Sequence, residues 1–251
     1  MDPHPEIRYA RHLALPGLGT TGQARLTAAH VLIVGMGGLG SPAALYLAAA
    51  GVGRLTLADF DIVELSNLQR QIAHTTGRVG ELKTHSARDA CLALNPDCTV
   101  DTLDHVLDEA SDIAPLLDMV QVVLDCTDNL PSRLALNAAC VGAGTPLVVG
   151  AAIGTEGQLM VVDRSTAADS PCYRCFVGER EPAGADCARA GILGPVVGTI
   201  GTLQALEAIK LITGLGEPAV GRLLLFDALH LEFRDIELRR RDDCSSCGNT
   251  S

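Results

Sequence analysis

Short β-branched runs alternate with longer stretches rich in Ala and Leu between residues 31 and 151. Residues 31–34 predict a strand that enters Gly35-Met-Gly37-Gly38-Leu-Gly40, and residues 41–50 then have the composition of a buried helix. Residues 54–58 predict the next strand, so the order is that of a βαβ unit with a right-handed crossover. Farther on, residues 78–94 predict a helix carrying Lys83, and residues 99–103 a short strand. Residues 120–124 predict a strand ending at Asp125-Cys126-Thr127-Asp128-Asn129. In open α/β sheets the ligand crevice lies beyond the strand C-termini, and both Asp59 and Asp128 fall there.

The periodicity then changes. Residues 134–153 are strongly apolar but interrupted by Asn137, Thr145 and Pro146, which predicts a buried helix, a turn and a strand over 146–151 rather than a membrane span. Residues 157–163, 222–226 and 231–238 read as neighbouring antiparallel strands. Between them, residues 194–213 predict a helix with Pro195 in its first turn and Gly214 after its end, buried nearly all round against the sheet or another subunit. The fold class expected is α/β: a Rossmann-like nucleotide-binding half continuing into a mixed sheet, all within a single domain spanning residues 1–251. Residues 178–189 read as a polar loop.

Composition narrows the picture. Hydrophobic residues make up 47% of the 251 positions but aromatics only 3%, with no Trp, so the core must be built from Ala, Val, Leu and Ile. A formal charge of -11 argues against nucleic acid or an anionic membrane as the main partner, so any phosphate site must be a local basic cluster. The polar N-terminus, broken by Pro3 and Pro5, has no signal-peptide pattern, and the chain reads as cytoplasmic. Nine cysteines, an odd number, suit metal ligands and reduced core thiols better than a disulfide framework.

Candidate chemistry sits on these elements. Gly35-x-Gly37-x-x-Gly40 permits a tight turn and close approach of backbone to phosphate at a helix N-terminus. Asp59 lies at the distance expected for an acid bonding ribose hydroxyls, which fits NAD and ATP equally. Arg70 and Lys83 favour ATP, since a triphosphate needs cations that a dinucleotide does not. On spacing alone, a cation on a predicted helix such as Lys83 is more often a solvated surface residue. Asp128 suits Mg²⁺ bridging phosphates, or else caps the helix that begins near Pro131. Cys172-Tyr-Arg-Cys175 and Cys244-Ser-Ser-Cys247 provide four thiolates for a closed, structural Zn²⁺ site. Cys187, with Arg180 and Arg189 nearby in sequence, is a candidate nucleophile, whereas Cys91, Cys98, Cys126 and Cys140 read as small buried hydrophobes.

Taken together, Gly35-x-Gly37-Gly38-x-Gly40, Asp59-Phe-Asp61, Ser66-Asn67-Leu-Gln69-Arg70, Lys83, Cys126-Thr-Asp128-Asn129, both cysteine pairs and Gly194-Pro-Val-Val-Gly198 resemble the E1-like adenylyltransferases of the ThiF/MoeB/HesA family. The likeness runs from Arg8-Tyr9-x-Arg11 to Cys247. It implies adenylation of the C-terminal glycine of a small ubiquitin-like sulfur carrier ending in Gly-Gly, with MgATP consumed and pyrophosphate released. By matching position, Gly38, Asp59, Ser66, Asn67, Gln69, Arg70, Lys83 and Asn129 would bind ATP, and Asp128 would hold Mg²⁺. Arg11 would reach the active site of the other subunit of a homodimer. Residues 186–191 and 202–210 look closer to the thiamine-pathway member, with a ThiS-like carrier, than to the molybdopterin-pathway member, with a MoaD-like one. In thiamine-type members the cysteine matching Cys187 can bond to the carrier. Because no rhodanese-like extension follows Cys247, the sulfurtransferase is expected to be a separate protein. An NAD-dependent oxidoreductase and a non-catalytic carrier-binding scaffold are the remoter alternatives.

Overall fold

The computed structural model describes residues 5–179 and 191–248. One sheet of eight strands organises the chain, in the spatial order β3-β2-β1-β4-β5-β6-β7-β8. The strands are β1 (His30–Val34), β2 (Arg54–Ala58), β3 (Thr99–Leu103), β4 (Val122–Asp125), β5 (Leu147–Ile153), β6 (Glu156–Val162), β7 (Arg222–Asp227) and β8 (Glu232–Glu237). Strands β1 to β5 pair in parallel, and β5 to β8 pair antiparallel. The mixed sheet is therefore as the sequence predicts. Its strand order reverses between β1 and β4, the place where a crevice opens in a doubly wound sheet.

Alternation along the strands divides the core into two layers. Val31, Ile33, Leu55, Leu57, Val122 and Leu124 face one side, and Leu32, Val34, Val123, Leu147 and Val149 face the other. Each such fully buried aliphatic side chain contributes about 2 kcal/mol. The helices, in chain order, are α1 (Pro5–Arg8), α2 (Ala10–Leu13), α3 (Gly19–Ala28), α4 (Gly40–Ala50), α5 (Lys83–Leu94), α6 (Ala110–Ile113), α7 (Leu130–Ala143), α8 (Tyr173–Val177) and α9 (Gly194–Thr213). Helices α4, α5 and α9 cover the first face, and α6, α7 and α8 the second.

Helix α9 has the bounds the sequence predicts, but it is buried on one side rather than nearly all round, with Leu206 exposed. Among the described residues it is the one helix long and apolar enough to cross a membrane, yet Gln204 and Glu207 lie buried on its inner face. The Gln204 amide donates to the carbonyls of Asp125 and Val148, and Cys126 Sγ donates to Gln204 Oε1. This one side chain ties α9 to β4 and to β5.

Helix α5 starts at Lys83 instead of residue 78. Residues 79–81 turn instead and are pinned to the segment after β2: Gly80 N donates to Val63 O, Val63 N donates to Glu81 O, and Leu82 bridges Ile62. Gly80 takes φ +92, which a helix could not accommodate. Tertiary pairing to the segment after β2 outcompetes local helix propensity there. Leu231 likewise turns with φ 55 and leaves β8 to begin at Glu232.

Replacing Gln204 by Leu should leave two buried backbone carbonyls without this donor and destabilise the fold by about 2 kcal/mol, measurable as a lower urea midpoint with unchanged slope.

Candidate active site

Register sets the site. Val34 pairs with Ala58 and with Asp125, and Ala58 pairs with Leu103, so β1, β2, β3 and β4 end at one level. Gly35, Asp59 and the segment after Asp125 therefore leave the sheet side by side. Gly35 turns with φ +95, and a Cβ there would lie 2.6 Å from the Cys126 carbonyl oxygen. The Asp59 carboxylate accepts from Met36 N at 2.6 Å and from Asp61 N at 2.8 Å, fixing it against the loop. Burial pushes this carboxyl above the usual carboxylate range, against the pull of the Asp61 N–H and the Lys83 charge.

The chain after β2 builds the opposite wall. Asn67 is buried at the end of a short 3₁₀ turn, where its Oδ1 accepts from Glu64 N, while Ser66 and Gln69 are exposed. Arg70 donates from Nη1 to Ser66 O at 3.3 Å, and its Cγ would stand 3.5 Å from a Cβ on Gly38. The start of α9 closes on this wall, since a Cβ on Gly194 would come within 2.5 Å of Gln69 O.

Lys83 is not the solvated residue its helical position allowed. It is 6% exposed, and its Nζ lies 2.7 Å from Asp61 Oδ2 while its N–H donates to Asp61 O. A cation in the first turn of a helix opposes the helix dipole, and Asp61 offsets that. His74 joins the same wall to the Gly loop. It is buried, its Nε2 is 2.9 Å from Met36 O and its Nδ1 is 3.0 Å from Ser86 Oγ. A carbonyl can only accept, so Nε2 carries the proton and Nδ1 accepts from Ser86. Burial lowers the pKa of His74, with the Lys83 charge acting in the same direction.

At the end of β4 the two neighbours divide their work. The Asn129 side chain accepts from Ser132 N at 3.0 Å and caps α7. The cap considered for Asp128 is thus filled by Asn129, and Asp128 is left exposed at the strand end. Such a carboxylate is the hard oxygen donor that Mg²⁺ takes. Asp125 is fully buried and accepts at Oδ1 from Thr127 N and Thr127 Oγ1.

Arg11 stands elsewhere. Its helix α2 follows Tyr9, whose hydroxyl accepts from Asn95 Nδ2 just past the end of α5, and whose ring lies against Gly51 just past the end of α4. Helix α4 has 11 residues. At the usual rise it spans about 16 Å, so within one chain Arg11 is at the far end from the Gly loop. Cys187 lies outside the described residues.

The two cysteine pairs do meet. Cys172 Sγ is 3.6 Å from Cys244 Sγ, Cys175 Sγ is 3.4 Å from Cys247 Sγ, and Cys172 Sγ is 3.9 Å from Cys175 Sγ. Tetrahedral ligation at zinc–sulfur bond length places sulfurs about 3.8 Å apart. The cluster fits Zn²⁺ and leaves no open position. By contrast, burial raises the thiols of Cys91 to about 12 and Cys98 to about 11, and also raises those of Cys126 and Cys140, as inert core thiols should be.

The sequence did not single out His74, the counterion role of Asp61, or Asp125. The partners of His74 and Asp61 are distant in sequence: His74 meets Met36 across 38 positions and Lys83 meets Asp61 across 22. No local spacing announces such pairs.

A parallel nucleotide half running into antiparallel strands, with an acid and two cations at the crevice and a four-sulfur cluster behind it, defines the class of E1-like adenylyltransferases. The chain belongs to the ThiF family, whose model matches residues 9–247. It is 46% identical over 242 residues to the molybdopterin-synthase adenylyltransferase of Escherichia coli (strain K12), covering 96% of each chain. It is also 50% identical over 249 residues to the adenylyltransferase and sulfurtransferase MOCS3-1 of Zea mays, covering 97% of this chain but 52% of the maize protein. The chain thus spans about half the length of that relative. The fold superposes on the microcin C7 biosynthetic enzyme MccB in complex with N-formylated MccA with a TM-score of 0.85, 22% identity, and coverage of 96% of this chain and 75% of that one. That last likeness is one of fold.

The purified protein should contain about one zinc per chain with four-sulfur ligation by X-ray absorption, and Cys244→Ser should lower both zinc content and thermal stability. His74 should also leave a pH signature. Its folded pKa lies below 6.5, so its contribution is present above pH 6.5 and is lost as pH falls through the folded value. The stability difference between the wild type and His74→Gln should therefore shrink below pH 6.5 in denaturant titrations.

Proposed function

We propose that the chain, acting as one domain over residues 1–251, adenylates the C-terminal glycine of a small ubiquitin-like sulfur carrier. The observation that carries this reading is the meeting of Asp59, Arg70 and buried Lys83 around one Gly loop at the strand ends. Asp59 holds the ribose hydroxyls, and loop amides with Gly38 border the phosphates. Ser66, Asn67, Gln69 and Asn129 shape the walls of the nucleotide site. The carrier carboxylate, ionised near neutral pH, attacks the α-phosphorus, and pyrophosphate leaves. An anion approaching a polyanion needs its charge offset, which Arg70 and Lys83 supply. Asp128 would hold Mg²⁺, which when bound neutralises the phosphate oxygens. No side chain need remove a proton. An NAD-dependent hydride transfer would leave the buried Lys83 without a purpose.

For the carrier, end-to-end similarity to a protein named molybdopterin-synthase adenylyltransferase supports a MoaD-like partner over the ThiS-like one that residues 186–191 and 202–210 suggested. The maize relative is named for both adenylyltransferase and sulfurtransferase activity, so a sulfurtransferase is the partner expected to act next on the adenylated carrier.

Arg11 is proposed to act in trans. Its position beyond the far end of α4 supports a homodimer in which the N-terminal helices reach the partner's crevice.

Carrier-dependent exchange of labelled pyrophosphate into ATP tests the reading: a MoaD-like carrier should drive it faster than a ThiS-like one, and Asp128→Ala should reduce it by at least about 100-fold. Exchange at the wild-type rate would remove Asp128 from the mechanism. Arg11→Ala and Asp128→Ala should each be inactive alone, whereas subunit exchange between them should restore about a quarter of wild-type activity, because half of the dimers then hold one complete site. No recovery from mixed dimers would place Arg11 in its own subunit's chemistry or outside it.

A further inference from the structure

One buried guanidinium touches both the loop carrying Asp128 and the segment carrying the first cysteine pair. Arg133, in α7, is 6% exposed. Its Nη2 donates to Thr127 O, the carbonyl immediately before Asp128. Its Nη1 stands 3.9 Å from Asp125 Oδ2, and these two atoms have no other hydrogen-bond partner. On the other side, the guanidinium carbon lies 6.0 Å from the centroid of the Tyr173 ring. Tyr173 follows Cys172 directly, and its N–H donates to Asn137 Oδ1 on α7 at 2.8 Å.

The energetics of this arrangement are one-sided. A fully buried carboxylate facing a buried guanidinium is costly unless the pair closes with good geometry, and here it stops short of bonding distance. The position of Arg133 therefore depends on its remaining contacts, the Thr127 carbonyl and the Tyr173 ring. Tyr173 in turn is held by Asn137 and by its neighbour: Cys172 and Cys175 converge on Cys244 and Cys247, and a metal there would fix the start of α8. Without it, four thiols have no common centre and the hold on that segment falls to the Asn137 bond and its apolar packing.

Resting on the adenylation reading above, we propose that Arg133 is a positioning residue for the Asp128 loop, and that through Tyr173 it makes the grip on MgATP depend on the filling of the four-cysteine site. The metal cluster then has a second consequence beyond stapling the C-terminal tail. The effect should fall on the Mg²⁺ end of the nucleotide, because Thr127 and Asp128 are what Arg133 holds. The adenosine end, bounded by Asp59, should not feel it.

The test is calorimetric binding of MgATP and of AMP to the full chain, with zinc content and thermal unfolding measured alongside. Arg133→Met and Tyr173→Leu, both zinc-loaded, should each bind MgATP about tenfold more weakly while AMP affinity stays at the wild-type value. The double variant should be no weaker than the weaker single, as expected when both act through one contact. Removing zinc from the wild type should give the same loss, and removing it from Tyr173→Leu should add nothing. The proposal is overturned if MgATP and AMP affinities fall together, if the two substitutions multiply to about a hundredfold, or if zinc removal leaves wild-type MgATP affinity unchanged. Should Arg133→Met fail to fold, Tyr173→Leu with and without zinc decides alone; should the zinc-free protein unfold, the zinc-loaded double-variant cycle decides. A wild-type protein that binds AMP but not MgATP overturns this proposal and leaves a nucleotide site, whereas one that binds neither overturns the adenylation reading as well.

Discussion

Everything at the crevice depends on the common level at which parallel strands β1, β2 and β4 end. Parallel pairing places Val34 beside both Ala58 and Asp125, so the next residues of three strands emerge together. A shift of one position in either pairing would carry Asp59 or Asp128 along the crevice and turn its strand's apolar set to the wrong layer. Different side chains fill the two layers, so such a shift would cost close packing on both faces. Catalytic geometry is thereby a by-product of core packing.

Within that frame, the site collects positive charge on a chain of net charge -11 by holding a few cations rigidly. Lys83 is buried beside Asp61, its helix begins only after a turn has been pinned to Val63, and His74 locks that helix to the Gly loop through Ser86 and Met36. Such a site needs little rearrangement as a triphosphate enters, which is the condition for electrostatic catalysis to be effective. The neutral His74 belongs to this rigidity. A protonated imidazole would set two charges, its own and that of Lys83, near one another in a dry wall.

The second layer has a different character. Behind β4 and β5 it carries α7, α8 and the four-sulfur cluster, and there the tail packs against the sheet through Leu238, Cys244 and Cys247. Strand β8 is exposed along its whole length and is held by its pairing with β7, and the four-cysteine cluster lies beyond it. Arg133 lies between this layer and the nucleotide edge, where the covalently distant halves of the chain come within one side chain of each other.

The sequence by itself determined the βαβ unit, the acid that follows β2, the two cysteine pairs and the bounds of α9, because each is written in local periodicity or fixed spacing. Gly loops, Cys-x-x-Cys pairs and a Pro-to-Gly helix frame are short-range signals, legible without partners. Asn129 caps α7 through Ser132, a local contact three residues along the chain, whereas the start of α5 at Lys83 and the roles of Asp61, His74 and Arg133 were decided by the tertiary structure. Each depends on a partner brought close by the sheet: Val63 for the segment before α5, Met36 for His74, Tyr173 for Arg133. Local sequence encodes the preference of a residue for helix, strand or turn, but the burial that makes Lys83 or Arg133 matter is a property of the packed chain.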